Sequence, residues 1–243
     1  MIDIHCHILP GVDDGPKSWE AALEMCRIAQ ADGITHIVAS PHANDQYDYH
    51  RQKHLRVLQQ LRRRIDPSLM LTLACDFHFS AENLQRLRRH PSEFTIGSTP
   101  YLLVELSNYA LPAKFEARIA DLINTGITPV ITHPERNPLV QQRPQQVLRW
   151  VASGAVVQVT ADAFTGRWGT MAQDLSFWLL EQNAVHVIAS DAHDPVDRLP
   201  LLSPARKIVA EHKGQDIATA LVCGNPQAIV NGEALPYFPR PRI

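Results

Sequence analysis

The chain opens on Met1-Ile2-Asp3-Ile4-His5-Cys6-His7-Ile8, an aliphatic run that ends in two histidines one residue apart. On a strand, positions i and i+2 share a face. His5 and His7 therefore lie roughly 6.6 Å apart at Cα on one side and can converge on a metal, with Cys6 on the other. An isolated H-x-H is a weak signal. It gains weight because later aliphatic runs also end in chemistry: Ser40-Pro41-His42, Asp76, Glu105, His133-Pro134-Glu135-Arg136 and Asp191-Ala192-His193.

Seven such runs are predicted as strands: Ile2–His5, Ile34–Ser40, Leu69–Asp76, Tyr101–Leu106, Thr128–Thr132, Ala155–Thr160 and Val185–Ser190. Segments of helical period separate nearly all of them, which is the pattern of repeated βα units and a mostly parallel sheet. In an α/β barrel the C-terminal strand ends and the loops after them converge on one mouth, so these scattered positions become neighbours. Ser18 is placed to cap the first helix and Gly33 to end it, while Ser80 is placed to cap the helix after the third run. The closing Pro236-Tyr-Phe-Pro-Arg-Pro-Arg242 cannot continue a helix or central strand and is read as a tail, ordered only by docking.

With 243 residues and 45% hydrophobic content, residues 1–243 are expected to form a single domain. A formal net charge of -2 gives no global attraction to nucleic acid or an anionic membrane, so neither is an expected partner. No signal peptide is read at Met1, and no apolar run reaches the ~20 residues of a transmembrane helix. The four cysteines, Cys6, Cys26, Cys75 and Cys223, form no C-x-x-C pair, which fits reduced thiols and a cytoplasmic protein. A cysteine phosphatase would need arginine six residues after its nucleophile. Those positions hold Val12, Asp32, Ala81 and Ile229, so thiolate catalysis is rejected.

Histidine nitrogen mixed with carboxylate oxygen suits zinc, manganese or iron, and a bridging carboxylate can hold two cations within about 4 Å. Any one of these residues could be structural. Burying several unpaired polar groups at strand ends without a ligand would be costly. Glu135 fits the set least and reads equally as a salt-bridge partner. His36, His50, His54, His78, His90, His186 and His212 match no ligand pattern.

Taken together, these residues resemble the polymerase and histidinol phosphatase superfamily, and within it the manganese-dependent bacterial tyrosine phosphatases of capsule and exopolysaccharide operons. The likeness rests on the opening run with Val12-Asp13-Asp14-Gly15-Pro16-Lys17-Ser18, the Ser-Pro-His ending at His42, and Val104-Glu105-Leu106. It continues through Gly126 to His133, Glu135-Arg136, Val187 to His193, and Asn225-Pro226. The resemblance implies a distorted seven-stranded (β/α)7 TIM-like barrel with three divalent metal ions, manganese foremost and iron or zinc also accepted. By that resemblance one ion is held by His5, His7 and Asp191, and a second by Glu105 and His133 with Asp76 bridging. The third is held by His42, His193 and Asp14, and Arg136 and Arg198 receive the substrate phosphate. Where the family usually has a bridging glutamate this chain has Asp76, whose reach is shorter by roughly 1.5 Å.

The implied activity is hydrolysis of a phosphoric monoester by metal-activated water, on a phosphotyrosine protein such as a bacterial tyrosine autokinase. Alternatives are a histidinol-phosphate or other small-molecule phosphatase, a nuclease module, an amidohydrolase-type hydrolase acting on a C–N bond, and a metal-binding regulator without turnover. Asp76, Glu105 and the Asp191-x-His193 ending favour the phosphatase over the amidohydrolase.

Overall fold

A computed structural model describes residues 1–241. All seven aliphatic runs form strands, but the third is broken in two and the second is followed, past Pro41, by a further short strand. Among the described residues nine strands result: β1 Ile2–Cys6, β2 His36–Ala39, β3 His42–Ala43, β4 Met70–Leu73, β5 Asp76–His78, β6 Tyr101–Glu105, β7 Thr128–Thr132, β8 Val156–Thr160 and β9 Val187–Ala189. They form two sheets, ordered β1-β2-β4 and β3-β5-β6-β7-β8-β9, with every neighbouring pair parallel. The expected seven-stranded barrel is corrected accordingly: among the described residues there is no single closed ladder.

Pro41 supplies the physical reason, since it has no N–H with which to continue pairing toward the third run. At this point the chain passes from the small sheet to the large one. The third run crosses beside it, with Ala74 N–H donating to Ala39 O at 2.8 Å and Asp76 N–H to Pro41 O at 3.0 Å. On the other flank Cys6 and Ala192 form a parallel bridge, and Asp191 N–H donates to His5 O at 2.8 Å. The sheets thus adjoin on both sides. The breaks also bring His42 and Asp76 into register as the first residues of β3 and β5.

Helices fill the crossovers: α1 Trp19–Ala31, α2 Arg51–Arg62, α3 Ala81–Arg89, α4 Phe115–Asn124, α5 Pro138–Gln142, α6 Gln145–Ala152, α7 Ala161–Phe164 and α8 Thr170–Glu181. After β9 come α9 Ser203–Lys213, α10 Gln215–Thr219 and α11 Asn225–Asn231. Ser18 and Ser80 cap as predicted, accepting from Ala21 N–H at 3.2 Å and Asn83 N–H at 3.1 Å. The first turn of α9 is capped from a distance, because Asp32 Oδ2 accepts from Leu202 N–H at 2.7 Å and Ser203 N–H at 3.0 Å.

Most of the apolar core lies between strands and helices. A second cluster gathers Ile4, Val38, Leu103, Val130, Val156 and Val187, one side chain from each of six strands. Two residues further along and on the same face come Glu105 after Leu103, Thr132 after Val130 and Gln158 after Val156. Polar chemistry is therefore stacked one layer above an apolar floor. The tail does dock: buried Asn225 donates to Tyr237 O at 2.6 Å and accepts from Tyr237 N–H at 3.0 Å, and Phe238 packs on His186 at 4.4 Å between ring centroids. Arg242 lies outside the described residues. No described helix is long and apolar enough to cross a membrane.

Candidate metal centre

The nine side chains singled out in the sequence meet at the C-terminal ends of the runs. His5 Nε2 and His7 Nε2 are 3.2 Å apart, and Asp191 Oδ1 is 3.4 Å from each. Asp14 Oδ1 sits 3.4 Å from His42 Nε2 and 3.3 Å from His193 Nε2, with His7 completing that group. The remaining expected set is regrouped. Glu105 joins His42 and Asp76, at 3.5 Å from His42 Nδ1, while His133 groups with His5 and Asp191 and lies 3.9 Å from Glu105 Oε1. Asp76 belongs to two groups, one with His5 and His7 and one with His42 and Glu105.

What fixes these rings was only partly legible beforehand. Asp13 Oδ2 accepts from His7 Nδ1 at 2.8 Å and from His42 N–H at 3.2 Å, while its Oδ1 accepts from Gly15 N–H at 2.9 Å. Gly15 is required by proximity, because a Cβ there would lie 2.3 Å from His7 O. Gln158 Oε1 accepts from His5 Nδ1 at 3.0 Å, and the Asp191 carbonyl accepts from His193 Nδ1 at 3.0 Å. With Nδ1 the donor on all three rings, each Nε2 presents a lone pair to the centre. Beneath them, Asp3 accepts from the Ser190 and His5 N–H groups at 3.0 and 3.3 Å, tying β1 to the end of β9; burial pushes its carboxyl up to about 6.

Two of the candidate ligands carry unusual backbone. His133 has φ 34° and Asp191 φ 51°, the left-handed region that non-glycine residues rarely enter and that recurs at functional sites. Each lies just past a strand, where the twist turns its side chain back over the mouth.

A cation suits this arrangement. Three acceptors facing one another across 3.2, 3.4 and 3.4 Å repel unless something positive lies among them. Donors about 2.1 Å from a tetrahedral ion lie roughly 3.4 Å apart. Both oxygens of fully buried Asp76 lack a hydrogen-bond partner, as does His42 Nδ1 although it is 3.1 Å from Asp76 Oδ2. Orphaned polar atoms of this kind are costly to bury and uncommon in folded proteins. Burial, reinforced by the Asp76 charge, pushes the Glu105 carboxyl up to about 7.

Arg136 and Arg198 border the cluster. Both donate to Asp191 Oδ2, Arg198 at 2.6 Å, and Arg198 also donates to the Asp191 carbonyl at 3.0 Å. Burial favours the neutral Asp191 carboxyl, yet Arg136, His5 and Arg198 hold it well below the usual carboxylate range. Beside them a cavity of about 220 Å³ is lined by Glu105, His133, Arg136, Asn108, Gln141 and Trp168, among others. Glu135 stands apart. It forms no salt bridge among the described residues, and its Oε1 instead accepts from Thr160 N–H at 2.9 Å in a fully buried position.

The chain is similar to known proteins over most of its length. Tyrosine-protein phosphatase YwqE of Bacillus subtilis (strain 168) is 34% identical over 198 residues, 80% of this chain and 78% of the relative. Tyrosine-protein phosphatase CpsB of Streptococcus pneumoniae is 27% identical over 239 residues, 95% of this chain and 98% of the relative. A chain from the crystal structures of YwqE and CpsB, described as unique metal-dependent tyrosine phosphatases, superposes over 100% of both chains with TM-score 0.89 and 29% identity. Fold alone is shared with a lactonase of Listeria monocytogenes, at TM-score 0.59 and 12% identity over 96% of this chain and 95% of the other. Residues 1–231 match the family of capsular polysaccharide synthesis proteins CpsB/CapC, and the chain belongs to that family.

Proposed function

We propose that the chain is a metal-dependent protein-tyrosine phosphatase. The observation that carries the reading is the convergence of His5 Nε2, His7 Nε2 and Asp191 Oδ1, with Arg136 and Arg198 at the rim of the same cluster. His5, His7 and Asp191 would hold one divalent cation and Asp14, His42 and His193 another. A third would lie among Glu105, Asp76 and His42, with His133 joining the first group beside His5 and Asp191, and manganese is the first choice of metal, ahead of iron and zinc. Cations held there acidify water and draw charge from phosphoryl oxygens.

The chain's own residues supply the rest. Asp13 and Gln158 keep the Nε2 atoms of His7 and His5 turned inward. Arg136 and Arg198 offer planar forks of N–H donors that match phosphoryl oxygens and would receive the substrate's phosphate. A thiol nucleophile is disfavoured, because Cys6 and Cys75 are fully buried and burial pushes both well above the ordinary thiol range. The physiological substrate we assign is a phosphotyrosine protein, a bacterial tyrosine autokinase of capsule or exopolysaccharide synthesis, met in the cytoplasm.

The test is turnover by purified, metal-defined protein on a phosphotyrosine peptide, histidinol phosphate and a nucleotide. Preference for the peptide supports the reading. Preference for histidinol phosphate would keep the reaction and replace the substrate, and no phosphate release from any of the three would remove the reading.

A further inference from the structure

Gly166-Arg167-Trp168-Gly169, between α7 and α8, turns through two left-handed residues, Gly166 at φ 85° and Gly169 at φ 83°. An L side chain at either position would be strained, and a Cβ on Gly166 would also press on the Gln173 amide at 3.3 Å. Arg167 fastens the turn on both sides, donating to Asp197 O at 2.6 Å and pairing with Asp162 Oδ2 at 3.5 Å. Asp197 is the neighbour of Arg198. The turn is thereby tied to the loop that carries one of the two arginines.

Held this way, Trp168 meets both guanidinium groups. Arg136 Cζ lies 3.7 Å from its ring centroid and Arg198 Cζ 5.3 Å from it, each within the range of a cation–π contact. Trp168 remains 36% exposed. A guanidinium recognises a tetrahedral oxyanion through the direction of its N–H forks, so its plane must be fixed before the anion arrives. Asp191 holds one edge of each fork, and an aromatic face restrains the rotation that this single anchor leaves open.

We infer that Trp168 is a positioning residue, which holds Arg136 and Arg198 in the orientation that receives the phosphoryl group. The inference rests on the phosphatase reading. Its effect passes through the arginines, so metal binding should not depend on it.

The experiment compares Trp168→Ala, Trp168→Leu and Trp168→Phe in metal-loaded protein. It measures kcat and KM on an aryl phosphate, calorimetric binding of inorganic phosphate, metal content and thermal stability. Alanine and leucine should each cost roughly 10-fold in kcat/KM and weaken phosphate binding similarly, as expected for two lost cation–π contacts, with metal content unchanged. Phenylalanine, which keeps a π face, should stay within about 3-fold of wild type. In an Arg136→Ala background the Trp168→Ala loss should shrink, since the two act as one unit.

Wild-type kinetics and phosphate affinity in Trp168→Ala would overturn the inference. Equal losses in the leucine and phenylalanine variants, or strict additivity with Arg136→Ala, would do the same. Phosphate binding separates this result from failure of the parent reading: a wild type that binds phosphate without turnover sinks the phosphatase reading, and the binding arm still judges Trp168. A wild type that does neither sinks both.

Discussion

Replacing Asp13 by asparagine removes the charge that fixes His7 while keeping the size of the side chain. In the wild type one oxygen accepts from His7 Nδ1 at 2.8 Å and from His42 N–H at 3.2 Å, and the other accepts from Gly15 N–H at 2.9 Å. Asparagine has only one acceptor oxygen. If its NH2 faces His7, the ring must carry its proton on Nε2, and the lone pair facing Asp191 and His5 is lost. If the NH2 faces Gly15, that backbone donor is left without a partner in a turn too tight to shift, where even a Cβ would meet His7 O at 2.3 Å.

Either way a buried charge-assisted bond is lost, at about 1.5–3 kcal/mol. Carboxylates that orient metal-binding histidines are typically worth 10–100-fold in metal affinity or activity, roughly 1.4–2.7 kcal/mol. The assay is titration of metal-free Asp13→Asn with manganese, followed by turnover and by thermal unfolding. A folded variant with wild-type metal affinity and rate would refute the idea that Asp13 orients His7.

Asp76→Ala should lower metal occupancy and turnover together, because neither Asp76 oxygen has a hydrogen-bond partner and Oδ2 faces His5 and His42; unchanged stoichiometry and rate would take Asp76 out of the site. Asp32→Ala should cost about 1–2 kcal/mol in urea unfolding at pH 7, since it uncaps α9, and an unmoved midpoint would contradict this. His186 accepts from Val157 N–H through Nδ1 at 3.1 Å, and burial pushes its imidazole down from 6.5 to about 4. Its folded form is thus the neutral one. The contribution is complete above about pH 6.5 and is lost as pH falls toward 4, by up to roughly 3 kcal/mol. His186→Gln should lose less stability than wild type between pH 7 and pH 5, and equal losses would count against a neutral buried His186.

Eight of the nine candidate ligands were legible because each closes or follows an aliphatic run, and parallel strands bring such ends to one place; Asp14 came only from the family resemblance. Their grouping was not, since whether Glu105 lies nearer His42 or His133 depends on ångström-scale placement that spacing does not encode. Asp13 stands inside a quoted motif, yet nothing in a loop without period says which of Asp13 and Asp14 turns back to His7. Gln158 could have been suspected as a polar residue in the interior of an otherwise aliphatic strand. Trp168, in a turn bounded by Gly166 and Gly169, carried the signal of a tight turn and no hint of its arginine partners. Pro41 marked the break between β2 and β3 openly. The break at Ala74-Cys75 had no such marker, because it follows its neighbour across the sheet.

The central claim is that catalysis belongs to metal held by this histidine and carboxylate cluster. Its most direct test is elemental analysis paired with turnover on one preparation, before and after chelation and again after manganese is restored. Loss of aryl-phosphate hydrolysis in step with loss of metal, and recovery with up to three ions per chain, is the expected result. Full turnover in protein shown to be metal-free would contradict the account.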